Sequence, residues 1–174
     1  STLSPDGEVL EVIVYDANGN VKKVIDGLRY DGDVMTSAGT SYTYDGLNRV
    51  ITVTDALGST TAYEYDISGN LIKQTDARNN IFLFEYNSDK TLKKAVYPDG
   101  GTMEYTYDCQ GRMITQKDQR GNIITYSYNA FGKIRTETDP YGNTIAYKYD
   151  LNGNPVSIKD KRDNITILKY DALD

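Results

Sequence analysis

Between residues 42 and 170, apolar and polar positions alternate in short runs of five or six residues. In "IITYSY" (123–128) an extended backbone puts Ile124, Tyr126 and Tyr128 on one face and Ile123, Thr125 and Ser127 on the other. "TIAYKY" (144–149) and "LIKQT" (71–75) have the same character, and their β-branched and aromatic residues suit a pleated, half-buried surface. Each run stops at a polar cluster. One kind is "DISGN" (66–70), echoed by "DCQGR", "NAFGK" and "DLNGN"; the other is "DQRGN" (118–122), echoed by "DPYGN", "DARNN" and "DKRDN". Gly69, Gly111, Gly132 and Gly153 stand where a tight turn needs positive φ. Asn79 and Asp163 replace glycine with short polar residues that tolerate left-handed backbone. The pattern predicts strand, turn, return strand, turn: one β-hairpin per cycle, and an all-β chain.

The cycle has a fixed length. Tyr44, Tyr65, Tyr86, Tyr107, Tyr128, Tyr149 and Tyr170 are each 21 residues from the next, with no insertion. The residue after each is Asp45, Asp66, Asn87, Asp108, Asn129, Asp150 and Asp171; two residues before lie Tyr42, Tyr63, Phe84, Tyr105, Tyr126, Tyr147 and Leu168. A third landmark falls eleven residues after the tyrosine, at Asp55, Asp76, Asp118, Asp139 and Asp160, with Tyr97 the exception. A constant period of this size is the mark of an array of like units, each supported by its neighbours.

Composition narrows the chemistry. Tyrosine occurs 16 times while histidine and tryptophan are absent, so imidazole catalysis and histidine metal sites are excluded. Net charge is −6 and the pI about 4.7, which argues against nucleic acid as a partner. No apolar run approaches the length of a membrane span. The single Cys109 cannot form an internal disulfide; its turn slot, compared with Leu47, Ile67, Ser88, Ala130 and Leu151, reads as apolar filler. The aspartates have two readings. A calcium site would use such carboxylates in glycine-containing loops, but each turn offers one at its first position, sometimes replaced by Asn, so the stronger reading is an Asx-turn in which the carboxylate accepts backbone N–H groups. The tyrosines also have two: rings stacking on those of neighbouring hairpins, or a ladder that holds sugars. No nucleophile or phosphate-binding motif is present and no carboxylate pair stands out, so the chain is not expected to be an enzyme and no cofactor is called for.

Tyr-Asp-x-x-Gly-[Asn/Arg/Lys]-apolar at this spacing resembles the Rhs/YD repeats of bacterial Rhs proteins, wall-associated toxin-delivery proteins, Tc-toxin shell subunits and teneurins. "YDISGNLIKQTDARNN", "YDCQGRMITQKDQRGN" and "YDLNGNPVSIKDKRDN" carry it almost letter for letter. The signature residues are Tyr44, Asp45, Tyr63, Tyr65, Asp66, Gly69, Tyr105, Tyr107, Asp108, Gly111, Tyr126, Tyr128, Gly132, Tyr147, Tyr149, Asp150, Gly153, Tyr170 and Asp171. The resemblance implies a strip of tandem antiparallel hairpins coiling into a spiral, an open segment of a shell around a polypeptide cargo. It also implies a bacterial protein, secreted or on the cell surface, whose partners are neighbouring repeats of one parent chain and its cargo. A glycan or cell-surface receptor is the alternative partner. "TDPYGN" (138–143) occupies an ordinary second turn and carries no self-cleaving role.

Residues 42–174 hold the regular repeats, while 1–41 are less regular. Tyr15, Tyr30 and Tyr44 are 15 and 14 residues apart, which reads as shortened hairpins, with "YDGDVMTSAGTSYTYD" as one of them. "YDALD" opens a further period, so the chain is expected to be a slice of a longer protein. Free sheet edges on such a slice should favour edge-to-edge association.

Overall fold

In a computed structural model, residues 2–3 and 9–170 are described. They form one antiparallel sheet whose sixteen strands follow one another in chain order, so every connection joins neighbours and the sheet does not close on itself. The expected all-β array of tandem hairpins is therefore the fold. Among the described residues a three-residue 3₁₀ turn, Gly27–Arg29, interrupts the run of strands and turns.

The chain divides into two compact units, residues 1–83 and 84–174. The first holds β1 (Thr2–Leu3), β2 (Val9–Tyr15), β3 (Val21–Asp26), β4 (Thr40–Tyr44), β5 (Val50–Thr54), β6 (Thr60–Tyr65) and β7 (Leu71–Thr75); β8 (Ile81–Tyr86) begins in it. The second holds β9 (Leu92–Val96), β10 (Thr102–Tyr107), β11 (Met113–Lys117), β12 (Ile123–Tyr128), β13 (Ile134–Thr138), β14 (Thr144–Tyr149), β15 (Pro155–Lys159) and β16 (Ile165–Ile167).

The two kinds of turn are flanked differently. Across the second turn the register is unbroken, as in Thr54 opposite Thr60 and Val53 opposite Thr61. Across the first turn Tyr44 faces Val50 but Thr43 faces Thr52, so Ile51 is an extra residue. The same bulge recurs beside Tyr15 and Tyr65 in the first unit and beside Tyr107, Tyr128 and Tyr149 in the second. A bulge bends its strand and sharpens the local twist. At each of these six tyrosines the ladder slips by one residue.

Residues 15–44 differ from the expectation of shortened hairpins. β2 and β3 form a full hairpin with the usual bulge and turn. Tyr15 and Tyr44 are 29 residues apart, one period plus eight, and the surplus lies in the second turn. Asp26 begins an ordinary Asx-turn by accepting the Leu28 N–H, but the chain then leaves the ladder and returns only where Thr40 meets Val24. Residues 30–39 contain no strand, so "YDGDVMTSAGTSYTYD" is not a hairpin. The insertion packs instead. The Ser37 side chain is buried within reach of the Asp31 carboxylate and the Asp33 carbonyl, and Ile25 is fully buried. Gly27 is required there, because a Cβ would sit 1.7 Å from the Val9 carbonyl oxygen.

Elsewhere there is little interior. Among the described residues Val12, Ile25 and Ala95 are the buried apolar side chains. The accessible surface is 11992 Å², whereas a compact protein of this mass would expose roughly 8,500 Å². A single layer must draw its stability from its ladder and from side-chain pairs across it. Thr54 and Thr60 share a hydrogen bond of 2.8 Å, Thr138 and Thr144 one of 3.0 Å, and Lys73 meets Glu64 at 2.7 Å. Each such pair contributes about 0.2–1 kcal/mol, so the total depends on repetition.

Candidate functional site

What the repeat positions most exactly is its turns and the tyrosine beside each first turn. In the turn after Tyr65, the Asp66 N–H donates to the Asn70 carbonyl (2.9 Å) and the Gly69 N–H to the Asp66 carbonyl (3.1 Å). The Asp66 carboxylate accepts the Asn70 N–H (2.8 Å) on Oδ1 and the Asn70 amide (2.8 Å) on Oδ2. Asp118 in a second turn does the same for Arg120 N–H, Asn122 N–H and the Asn122 amide, all at 2.8 Å. Asp45, Asp108 and Asp150 accept two backbone N–H groups each. Where Asn129 replaces aspartate, its Oδ1 still accepts from Phe131 and Lys133. The Asx-turn is the geometry found.

The turn residues carry the backbone expected of them. Gly69, Gly111, Gly132 and Gly153 have φ between +75° and +90°, and Asn79 and Asp163 take +63° and +66°. Donors around the carboxylates favour their charged form. The Asn70 amide holds Asp66 below the ordinary carboxylate range, the Arg112 side chain does so for Asp108, and the Arg49 N–H for Asp45. Asp139 falls furthest, to about 2, chiefly because Lys161 donates to it at 2.9 Å. Among the described residues no three acidic or sulfur side chains gather where a metal ion could be held.

Six of the tyrosines that mark the period reach over the return strand before them. The Tyr65 hydroxyl donates to the Val50 carbonyl (2.9 Å), Tyr107 to Leu92 (2.9 Å), Tyr128 to Met113 (2.6 Å), Tyr149 to Ile134 (2.8 Å) and Tyr170 to Pro155 (3.1 Å). Tyr44 makes the bond across a longer loop, to Val21 at 2.7 Å. Every acceptor is the first residue of its strand. These hydroxyl staples tie each ring to the strand of the preceding hairpin. The other tyrosines line the same face: Tyr105 beside Gln116, Tyr126 beside Glu137, Tyr147 beside Ile158, and Tyr63 beside Gln74. Burial pushes the Tyr105, Tyr107, Tyr126 and Tyr149 phenols up. Asp171 lies outside the described residues.

The exceptional second turn keeps its form by other means. Tyr97 holds the aspartate position, and Asp99 supplies the carboxylate, accepting the Gly101 N–H at 2.9 Å. The Tyr97 hydroxyl donates to the Met103 sulfur (3.3 Å). Cys109 differs from its expected place. It is exposed, and its slot is shared with Gly46 (not Leu47), Ile67, Ser88, Ala130 and Leu151. Ile67 and Leu151 are almost wholly exposed too, so the slot is a turn tip and not filler. Sequence reasoning missed the bulges and the contacts that the basic residues at the turn's last position make with the next repeat. A basic residue five places after the tyrosine at Arg49, Arg112 and Lys133 was the available signal.

The RHS Repeat family matches residues 15–60, 44–81 and 107–144, which together span more than half of the sequence. No curated protein is similar enough to match. Among solved structures, the crystal structure of TcdB2-TccC3-Cdc42 aligns with a TM-score of 0.69 at 17% identity, covering 90% of this chain and 9% of that one. That of TcdB2-TccC3-TEV aligns at 0.70 and 14%, covering 92% and 10%. That of TcdB2-TccC3 without its hypervariable C-terminal region aligns at 0.69 and 18%, covering 91% and 9%. At these identities the likeness is one of fold, and the chain spans about a tenth of the length of each.

Proposed function

Because this chain belongs to the RHS repeat family, we propose that its structural repeat segment serves as wall material, part of a β-shell that encloses a toxin or other polypeptide cargo. The carrying observation is the single-layer array itself. Hairpin follows hairpin in one phase, tied by ladder and tyrosine staple, with almost no interior. Such a construction makes area, and area is what enclosure requires. The fold likeness to TcdB2-TccC3 over nine-tenths of this chain supports the reading. The mechanism is containment with no chemical step. A bacterial protein, secreted or surface-held, is the setting that fits. The test is protease protection in a polypeptide that carries these repeats ahead of a cargo. The cargo should resist digestion while the array is folded and become sensitive when it is denatured. Equal digestion in both states would refute enclosure.

A second reading, an adhesion module for glycans, is favoured by one observation. Tyr141 is 88% exposed beside a nook of about 140 Å³ that Gln116, Asp118, Asn122, Ile124 and Pro140 also line. An exposed ring over hydrogen-bonding side chains suits a sugar face. Saturable quenching of tyrosine fluorescence by a defined oligosaccharide, abolished in Tyr141→Ala, would support it. A flat titration would remove it.

A further inference from the structure

The last position of the first turn is Asn20, Arg49, Asn70, Thr91, Arg112, Lys133 and Asn154 in successive repeats. Its two arginines, one in each unit, adopt the same geometry. Arg49 Nε donates to Asp45 Oδ2 at 2.7 Å and Nη2 lies 2.7 Å from the same oxygen, within the turn. Its Nη1 donates to the Asp66 carbonyl at 3.1 Å, and its guanidinium carbon stands 4.8 Å from the centroid of the Tyr65 ring. Arg112 holds Asp108 through Nε (2.7 Å) and Nη2 (2.6 Å), reaches the Asn129 carbonyl with Nη1 (3.5 Å) and lies 4.6 Å over the Tyr128 ring. Tyr65 with Asp66, and Tyr128 with Asn129, belong to the following repeat. Each guanidinium is therefore divided: one edge serves its own turn, while the other edge and the flat face serve the next.

We infer that Arg49 and Arg112 are clamps between consecutive repeats, and that the residue type at this one turn position sets how firmly each repeat is joined to the next. The chemistry needs arginine. A planar fork can hold a carboxylate with one edge and still present a face to an aromatic ring and a free N–H to a carbonyl. The carboxylate fixes the plane, so little freedom remains to be lost when the next hairpin docks. Both side chains are only about a quarter exposed, at 26% and 29%, which limits screening by water. The other residues at this position reach less far. The Lys133 side chain crosses to the next turn, where a Cβ on Gly153 would lie 3.3 Å from its Cε, but it offers a point charge without a fork. Asn20 makes a neutral bond to Asn48 Oδ1 at 2.8 Å. The Asn154 amide is spent within its own turn, on Asp150 at 3.3 Å. The clamp is directional: it acts from each repeat on the one that follows.

The full chain can be tested by amide hydrogen exchange read strand by strand. In Arg112→Ala, protection should fall roughly threefold in β12, beyond the turn that holds residue 112. Arg112→Lys should recover only part of it. A double-mutant cycle with Tyr128→Leu should be non-multiplicative by about the same factor, since the guanidinium–ring contact is lost in either single variant. Asn154→Arg supplies the converse: a new clamp that slows exchange in β16 by roughly threefold. This last variant decides the matter even if Arg112→Ala fails to fold. Effects confined to residues 108–112, a multiplicative cycle, or unchanged exchange in β16 of Asn154→Arg would overturn the inference.

Discussion

The phenol at the end of each long strand separates tyrosine from phenylalanine by a single atom. Tyr128→Phe keeps the ring under Arg112 but strands the Met113 carbonyl, which now accepts at 2.6 Å. A cost of about 1 kcal/mol is expected, measured as a lowered denaturant midpoint with an unchanged slope. Four turn aspartates, Asp66, Asp118, Asp139 and Asp160, carry a pH dependence. Their folded-state values lie below the ordinary 3.8, with Asp139 at about 2. The stability they contribute is fully present above the ordinary value and is lost as pH falls through the depressed ones. Melting temperature should thus be flat from neutrality to about pH 4 and drop between there and about pH 2. Asp139→Asn keeps an acceptor for the turn, as Asn129 does, and should flatten part of that drop.

Elements show what the amino-acid order made legible and what it hid. β7, β12 and β14 fall where "LIKQT", "IITYSY" and "TIAYKY" predict them, because alternation and turn residues both act within a few positions. The bulge left no such trace. Both turns have the same five-residue form, and the extra Ile51 or Ile72 looks like any other strand residue. Only pairing across the ladder reveals it. Tyr30-Asp31 imitated the repeat signature, although its phase, 15 residues from Tyr15, did not fit the period. Local letters outweighed the count. The site was legible in its aspartates and glycines, whose partners are two to four residues away. The tyrosine staples and the arginine contacts, 15 and 17 residues apart, were not. Glycines of this array differ sharply in what they tolerate. Gly27→Ala would drive a Cβ into the Val9 carbonyl and should cost roughly 3 kcal/mol. Gly46, with open space around it and no positive φ, should accept alanine with little change. Thermal melts of the two variants side by side check the contrast.

For the whole molecule the period itself becomes the design variable. Removing residues 129–149, one complete cycle, joins equivalent positions and should leave a shorter folded sheet with lower stability. Removing instead a single residue inside β12 would turn that strand's remaining side chains to the opposite face and should abolish the Tyr128 staple. Far-ultraviolet circular dichroism with a denaturant titration distinguishes the two. Among the described residues β1 and β16 stand at the ends of the strand order, each with one paired side. Ile165 and Ile167 on β16 are well exposed, so sedimentation should reveal association that strengthens with concentration.

The eight surplus residues ahead of Thr40 bear on how such proteins diversify. Pairing resumes after the detour with Val24 opposite Thr40, and from Tyr44 onward the count of 21 never falters. A loop, or even a folded module, grafted at that corner would leave the frame of everything behind it untouched. Novelty can thus be hung on the margin of the fabric while the weave stays as it was.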